Sequence, residues 1–114
     1  MDLLSSLPMR STSTLIRELD LMEFRVLLSE RGVSVSPHAL DHLSLHQRKV
    51  FKEEELIHML AREQPRKIYL QANGRYAVYY RRADGHRKLI VALEKDAVIV
   101  SFVDTRELPR VFLP

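Results

Sequence analysis

The chain has 114 residues, of which 46% are apolar and 29% charged, and it carries a formal charge of +3 at pH 7. That length suits one domain, and the balance excludes a wholly disordered chain. The absence of cysteine excludes a disulfide scaffold and thiolate metal sites, and no apolar run approaches the roughly 20 residues of a membrane-spanning helix. The expectation is a cytoplasmic protein with no membrane partner. Met1–Arg10 also lacks the charged start and long apolar stretch of a signal peptide.

Residues 1–12, with Ser5, Ser6, Pro8, Ser11 and Thr12, read as a flexible leader, and 13–114 as a single α+β domain. From Thr14 to Arg31, Leu15, Leu19, Met22, Val26 and Leu27 keep helical spacing, and Gly32 is the stop signal. Val33-Ser34-Val35 alternates as a short strand or an extended entry. Ser36-Pro37 predicts a helix start, because a serine oxygen caps free amides and proline suits the first helical position. That helix is expected to run to about Gln47. Another begins near Phe51, buries Leu56, Ile57, Leu60 and Ala61, and stops at Pro65. Its Glu53, Glu54 and Glu55 match the positive end of the helix dipole.

Four strands follow in the pattern, Lys67–Gln71, Arg75–Arg81, Arg87–Glu94 and Ala97–Val103. Asn73-Gly74 and Asp84-Gly85 predict two-residue hairpins, and Lys95-Asp96 is a weaker third turn. The predicted fold is therefore N-terminal helices packed on one face of a four-stranded antiparallel meander. The tail, Arg106 to Pro114, is left to cover a sheet edge or to meet a partner.

Charge is unevenly placed. Between Arg62 and Lys88 stand eight basic residues against Glu63 and Asp84, so this stretch is +6 and the remainder −3. Such a field attracts polyanions even when the mean charge is mild. Two-residue hairpins would pair Leu89 with Tyr80 and Phe102, Val91 with Val78 and Val100, and Leu93 with Tyr76 and Val98, giving an apolar face for the helices. The other face would show Arg75, Tyr79, Arg81, Lys88 and Ser101 together, with Tyr79 opposite Ile90 and Arg81 opposite Lys88. Arginine and lysine there suit phosphate, and tyrosine offers a stacking surface. The competing reading is an ordinary solvated face, partly covered at Ile68, Leu70 and Ile90. Arg82, His86 and Arg87 flank the same turn and join the candidate nucleic-acid contacts.

His38, His42 and His46 recur every fourth residue, on one side of a helix. Such spacing can hold a transition metal, but no fourth ligand or His-Glu-x-x-His core accompanies it. Capping and surface roles are the preferred reading, with no metal and no cofactor. There is no glycine-rich phosphate loop and no nucleophile elbow.

Ser36-Pro37-His38-Ala39 at a helix start, a helix ended by Pro65, Gly74-Arg75-Tyr76, and the apolar strands Leu89–Leu93 and Val98–Val103 together resemble an uncharacterised prokaryotic family of small domains. That family opens a helix with Ser/Thr-x-His-Ala and is related to the RelE/ParE toxin superfamily. The resemblance covers about residues 33–105 and marks His38, Arg75 and Tyr76; His42 stands where the family often has arginine. It implies metal-independent RNA cleavage on a basic sheet face, with Tyr79, Arg81, Lys88 and His38 as catalytic candidates. Arg75, Arg82, His86, Arg87 and Ser101 would then bind the nucleic acid. It also implies RNA and an antitoxin or another protein as partners, and allows an oligomer. Two functions stay open: a toxin-like RNA-binding protein or endoribonuclease, and a non-enzymatic module binding nucleic acid or protein.

Overall fold

The computed structural model of the chain describes residues 14–41 and 52–110. The leader, His42, His46 and the Val-Phe-Leu-Pro end lie outside the described residues. The elements are β1 (Leu15–Glu18), α1 (Leu21–Leu28), β2 (Val33–Val35), a single 3-10 turn (Pro37–Leu40), α2 (Glu53–Arg62), β3 (Lys67–Gln71), β4 (Tyr76–Arg82), β5 (Gly85–Leu93) and β6 (Ala97–Thr105). They form one six-stranded sheet in the order β1-β3-β4-β5-β6-β2. Every neighbouring pair is antiparallel except β2 with β6, which is parallel.

This corrects the expected four-stranded meander. β1 adds to the free edge of β3, and β2 adds to the free edge of β6. The expected helix from Thr14 to Arg31 is thereby broken in two. Leu19 is 3% exposed and its amide donates to the Ile68 carbonyl at 2.9 Å, so the backbone is still tied to β3 there. Asp20 then caps α1, accepting from the Glu23 amide at 2.7 Å. The helix phases on Leu21, Phe24, Leu27 and Leu28, which pack in the core. Met22 and Val26 point outward, 72% and 63% exposed. The strand-forming residues before Asp20 find a better partner in an open sheet edge, where alternate amides gain ladder bonds. The left-handed residue that ends the segment is Glu30 (φ 69°), ahead of Gly32.

Both helices lie on one face of the sheet. Phe24 of α1 and Leu56, Met59 and Leu60 of α2 pack against Ile68, Val78, Tyr80, Leu89, Val91 and Ile99. Each large apolar side chain buried there contributes roughly 1.5–3 kcal/mol. On α2 the stripe therefore runs through Met59 in place of Ala61, which is exposed.

Hairpin geometry also departs from expectation. The β3–β4 loop has three residues, Ala72 to Gly74. Gly74 donates to the Gln71 carbonyl at 3.0 Å and takes φ +85°, the usual ending of a type I turn that needs a glycine. The β4–β5 connection closes on Arg82 opposite Gly85, with Ala83 and Asp84 between. Val100 is a bulge in β6: Leu89 pairs with Phe102 and Ile90 with Ser101, but Val91 then pairs with Ile99 and Leu93 with Ala97. Ile99 and Ala97 are consequently the fully buried residues, in place of Val98 and Val100.

Candidate functional site

A two-residue shift of β5 against β4 rebuilds the second face without changing which β4 and β5 side chains lie on it. Tyr79 sits opposite Lys88 on one side and Lys67 on the other, and Arg81 sits opposite His86. The row continues across β6 to Val103 and Thr105. A shift of two keeps side-chain parity, so the face survives while each pairing changes. β3 has the parity opposite to expectation. Ile68 joins the helix-side core, and Lys67, Tyr69 and Gln71 line the second face.

Gly85 sets the shape at the hairpin. Ala83 and Asp84 take ordinary negative φ, which splays the strands of a two-residue turn, and Gly85 turns them back with φ +147°. A Cβ on Gly85 would collide with the Thr105 carbonyl and stand 2.9 Å from Arg106 Cα. The end of β6 therefore closes over the turn. There Arg66, Arg81, Arg82, Ala83, Gly85 and His86 line a cleft of about 250 Å³.

The candidate residues divide by their partners. Arg82 is clamped by Glu63, with contacts of 2.7 and 3.1 Å. Arg87 donates to Asp104 at 2.8 Å and to Glu55 at 2.6 Å, and its side chain is 13% exposed. Arg87 pairs across the ladder with Tyr80 and so lies on the helix side of the sheet. Both cations are neutralised, and neither extends the basic face. The Arg87 hydrogen bonds hold the Asp104 carboxyl below its usual range. Lys67 pairs with Glu18 at 3.1 Å. Arg66, Arg75, Arg81 and Lys88 make no ion pair with any described residue, and Arg75, Arg81 and Ser101 are exposed.

Tyr79 is only 5% exposed. Its ring meets Tyr69 edge-on at 6.1 Å, in a cluster closed over by Leu15, Ile90 and Leu108. Burial pushes its phenol pKa upward. His38 lies on the 3-10 turn, beside β2 at the far edge of the sheet. Its ring faces solvent and its Nδ1 stands 3.0 Å from Asp41. The following residue but one, Leu40, packs on the helix-side core, so the structure does not bring His38 to Arg81 and Tyr79. Among the described residues no cluster of three or more His, Asp or Glu could hold a metal ion. No described helix is long and apolar enough to cross a membrane.

His86 Nδ1 lies 3.4 Å from the Arg106 carbonyl. A carbonyl only accepts, so the contact calls for the proton on Nδ1 and leaves Nε2 for a ligand. Arg66 was not singled out in the sequence. Its backbone amide donates to the Tyr79 carbonyl at 2.6 Å, and this bond seats it beside the hairpin. The signals for it are its membership of the basic stretch from Arg62 to Lys88 and its place after Pro65 at the mouth of a strand. Comparison with models of protein families, with curated proteins and with solved structures finds no match.

Proposed function

We propose that this chain is a non-enzymatic RNA-binding module that grips phosphate at the β4–β5 hairpin. Arg66, Arg81 and His86 hold one phosphate, Lys88 contacts the backbone one row further along the sheet, and Arg75 meets it near the far end of β4. The observation that carries the reading is the cleft itself, where two arginines without a carboxylate partner among the described residues meet a histidine. Buried or clamped cations would have little charge to offer, whereas unpaired arginines release counterions on meeting a phosphate. The Ser36–Ala39 and Gly74–Tyr76 motifs support RNA as the ligand and an antitoxin-like protein as a partner through their resemblance to a family related to the RelE/ParE superfamily.

Binding is favoured over cleavage on two grounds. A general base must reach the ribose hydroxyl, and the Tyr79 phenol is buried with a raised pKa. His38, the histidine that the resemblance marks, sits at the far edge of the sheet. The test is fluorescence anisotropy with labelled single-stranded RNA across a salt series. Wild type should bind with an affinity that falls with salt at a log–log slope of about −2 to −3, and Arg66→Ala with Arg81→Ala should make that slope shallower by about 1 to 2. The RNA should stay intact in chelator. No binding at low salt would end the proposal, and chelator-resistant cleavage lost with Arg81→Ala would put the ribonuclease in its place.

A further inference from the structure

The β3–β4 loop carries the chain's single asparagine, Asn73, and a glycine follows it. The pair sets a side-chain amide carbon next to a backbone nitrogen whose own residue has no Cβ to shield it. Ala72, Asn73, Gly74 and Arg75 are all exposed, at a loop tip of the kind that opens most readily. A Cβ on Gly74 would meet nothing within 4 Å beyond its chain neighbours, so no other residue closes over that side of Gly74.

The hydrogen bonds of the loop favour attack at the side chain. The Arg75 amide donates to Asn73 Oδ1 at 2.9 Å. It therefore points a donor at the oxygen on which charge gathers when the amide carbon is attacked. The restraint on the nucleophile is slight. The Gly74 amide donates to the Gln71 carbonyl at 3.0 Å, and this exposed bond has to open. The other hairpin, at Asp84-Gly85, has opposite surroundings. A Cβ on Gly85 would collide with the Thr105 carbonyl and stand 2.9 Å from Arg106 Cα. Ring closure has room at the first hairpin and is crowded at the second.

We propose that Asn73 of the folded chain deamidates through a cyclic imide closed on Gly74. Hydroxide removes the Gly74 amide proton, and the nitrogen bonds to the side-chain carbonyl carbon of Asn73. The bond from that carbon to its amino group breaks, and ammonia leaves. Water then adds to either carbonyl carbon of the imide and opens the ring, giving aspartate or isoaspartate. Water is consumed and ammonia released, with no change of oxidation state. In the aspartate product a carboxylate oxygen can still accept from the Arg75 amide, and a negative charge stands beside the exposed Arg75. In the isoaspartate product the main chain runs through the side-chain carbon, and the loop gains an atom. The reaction needs nothing from the RNA-binding reading.

The experiment is incubation of the folded full chain at mildly alkaline pH, followed by intact mass and by chromatography of the tryptic peptides 68–75 and 83–87. The same two segments, as synthetic peptides, serve as unstructured references. Folded wild type should gain the mass of an amide-to-acid conversion, all of it in 68–75 and in two separable products. Its rate should be at most about tenfold below that of the free peptide, since one exposed hydrogen bond has to open. Isoaspartate at Asp84 should be suppressed much further against its own peptide. Asn73→Ser keeps a side-chain oxygen for the Arg75 amide and has no amide to lose, so its 68–75 peptide should stay unchanged. A folded wild type slowed far more than tenfold at Asn73, or equal protection at the two hairpins, would overturn the proposal.

Discussion

Tyr79 and Tyr80 are consecutive on β4, and their side chains go to opposite faces because strand side chains alternate. Tyr79 ends in a small cluster with Tyr69 and Ala77, and Tyr80 in the helix-side core. Their phenols are both raised in pKa by burial, but only the Tyr80 hydroxyl is, among the described residues, buried with no hydrogen-bond partner. The single-residue constraint with the widest reach is Gly85. Its φ of +147° suits glycine, and a side chain there would run into the backbone at Thr105 and Arg106. Gly85→Ala should destabilise the chain by about 2–3 kcal/mol, read as a lower denaturant midpoint with the slope unchanged. It should also weaken RNA binding, because the cleft walls are formed by the same closure. A midpoint equal to wild type would mean that the end of β6 is free to move away.

At the scale of elements, α1 shows how a short helix is decided by its ends. It has only eight residues, too few to be stable alone, and depends on its cap and on packing of Phe24. Asp20-x-x-Glu23 is the sequence signal for that start, although the Glu23 carboxylate is engaged by Arg17 at 2.9 Å instead of returning to the cap. Asp20→Ala should lower stability by about 1 kcal/mol, and Asp20→Asn by much less, measured by urea unfolding. The strands were easier to read than the helices, since Lys67–Gln71 matches β3 as observed and the apolar runs of β4 to β6 lie within a residue or two of their expected bounds. Their pairings were not legible. A loop of three residues at Ala72–Gly74, closure of the next hairpin on Gly85, and the Val100 bulge each move the ladder, and each is settled by twist and closure.

Across the whole molecule, Arg87 joins three elements: it stands on β5 and reaches Asp104 on β6 and Glu55 on α2. The Asp104 carboxyl is lowered below its ordinary 3.8, chiefly by the Arg87 hydrogen bonds. Burial pulls Glu55 upward, but the Lys52 hydrogen bond and the Arg87 charge outweigh it and leave it below 4.5. Carboxyls with depressed folded-state values favour the folded state fully above their unfolded values, and that contribution is lost as pH falls through the lower folded values. Thermal stability should therefore be flat from neutral pH to about pH 5 and decline below about pH 4. Arg87→Met should remove part of that decline, seen as a shallower acid limb in melting temperature against pH. An unchanged limb would mean that other carboxylates govern acid unfolding.

Sequence by itself determined the alternating apolar pattern of the last strands, the cap at Ser36, the stop at Pro65 and the basic stretch around the hairpin. These are local properties, dictated by side-chain period, by proline and by charge. Only the tertiary structure decided that residues 15–18 form an edge strand, that β2 runs parallel to β6, and that, among the described residues, Arg82 and Arg87 are spent on carboxylates while Arg66 and Arg81 are not. Each of those outcomes depends on a partner distant in the chain: an open sheet edge, or a carboxylate brought up by α2 or β6. Spacing along one segment carries no record of which edge or which charge will meet it.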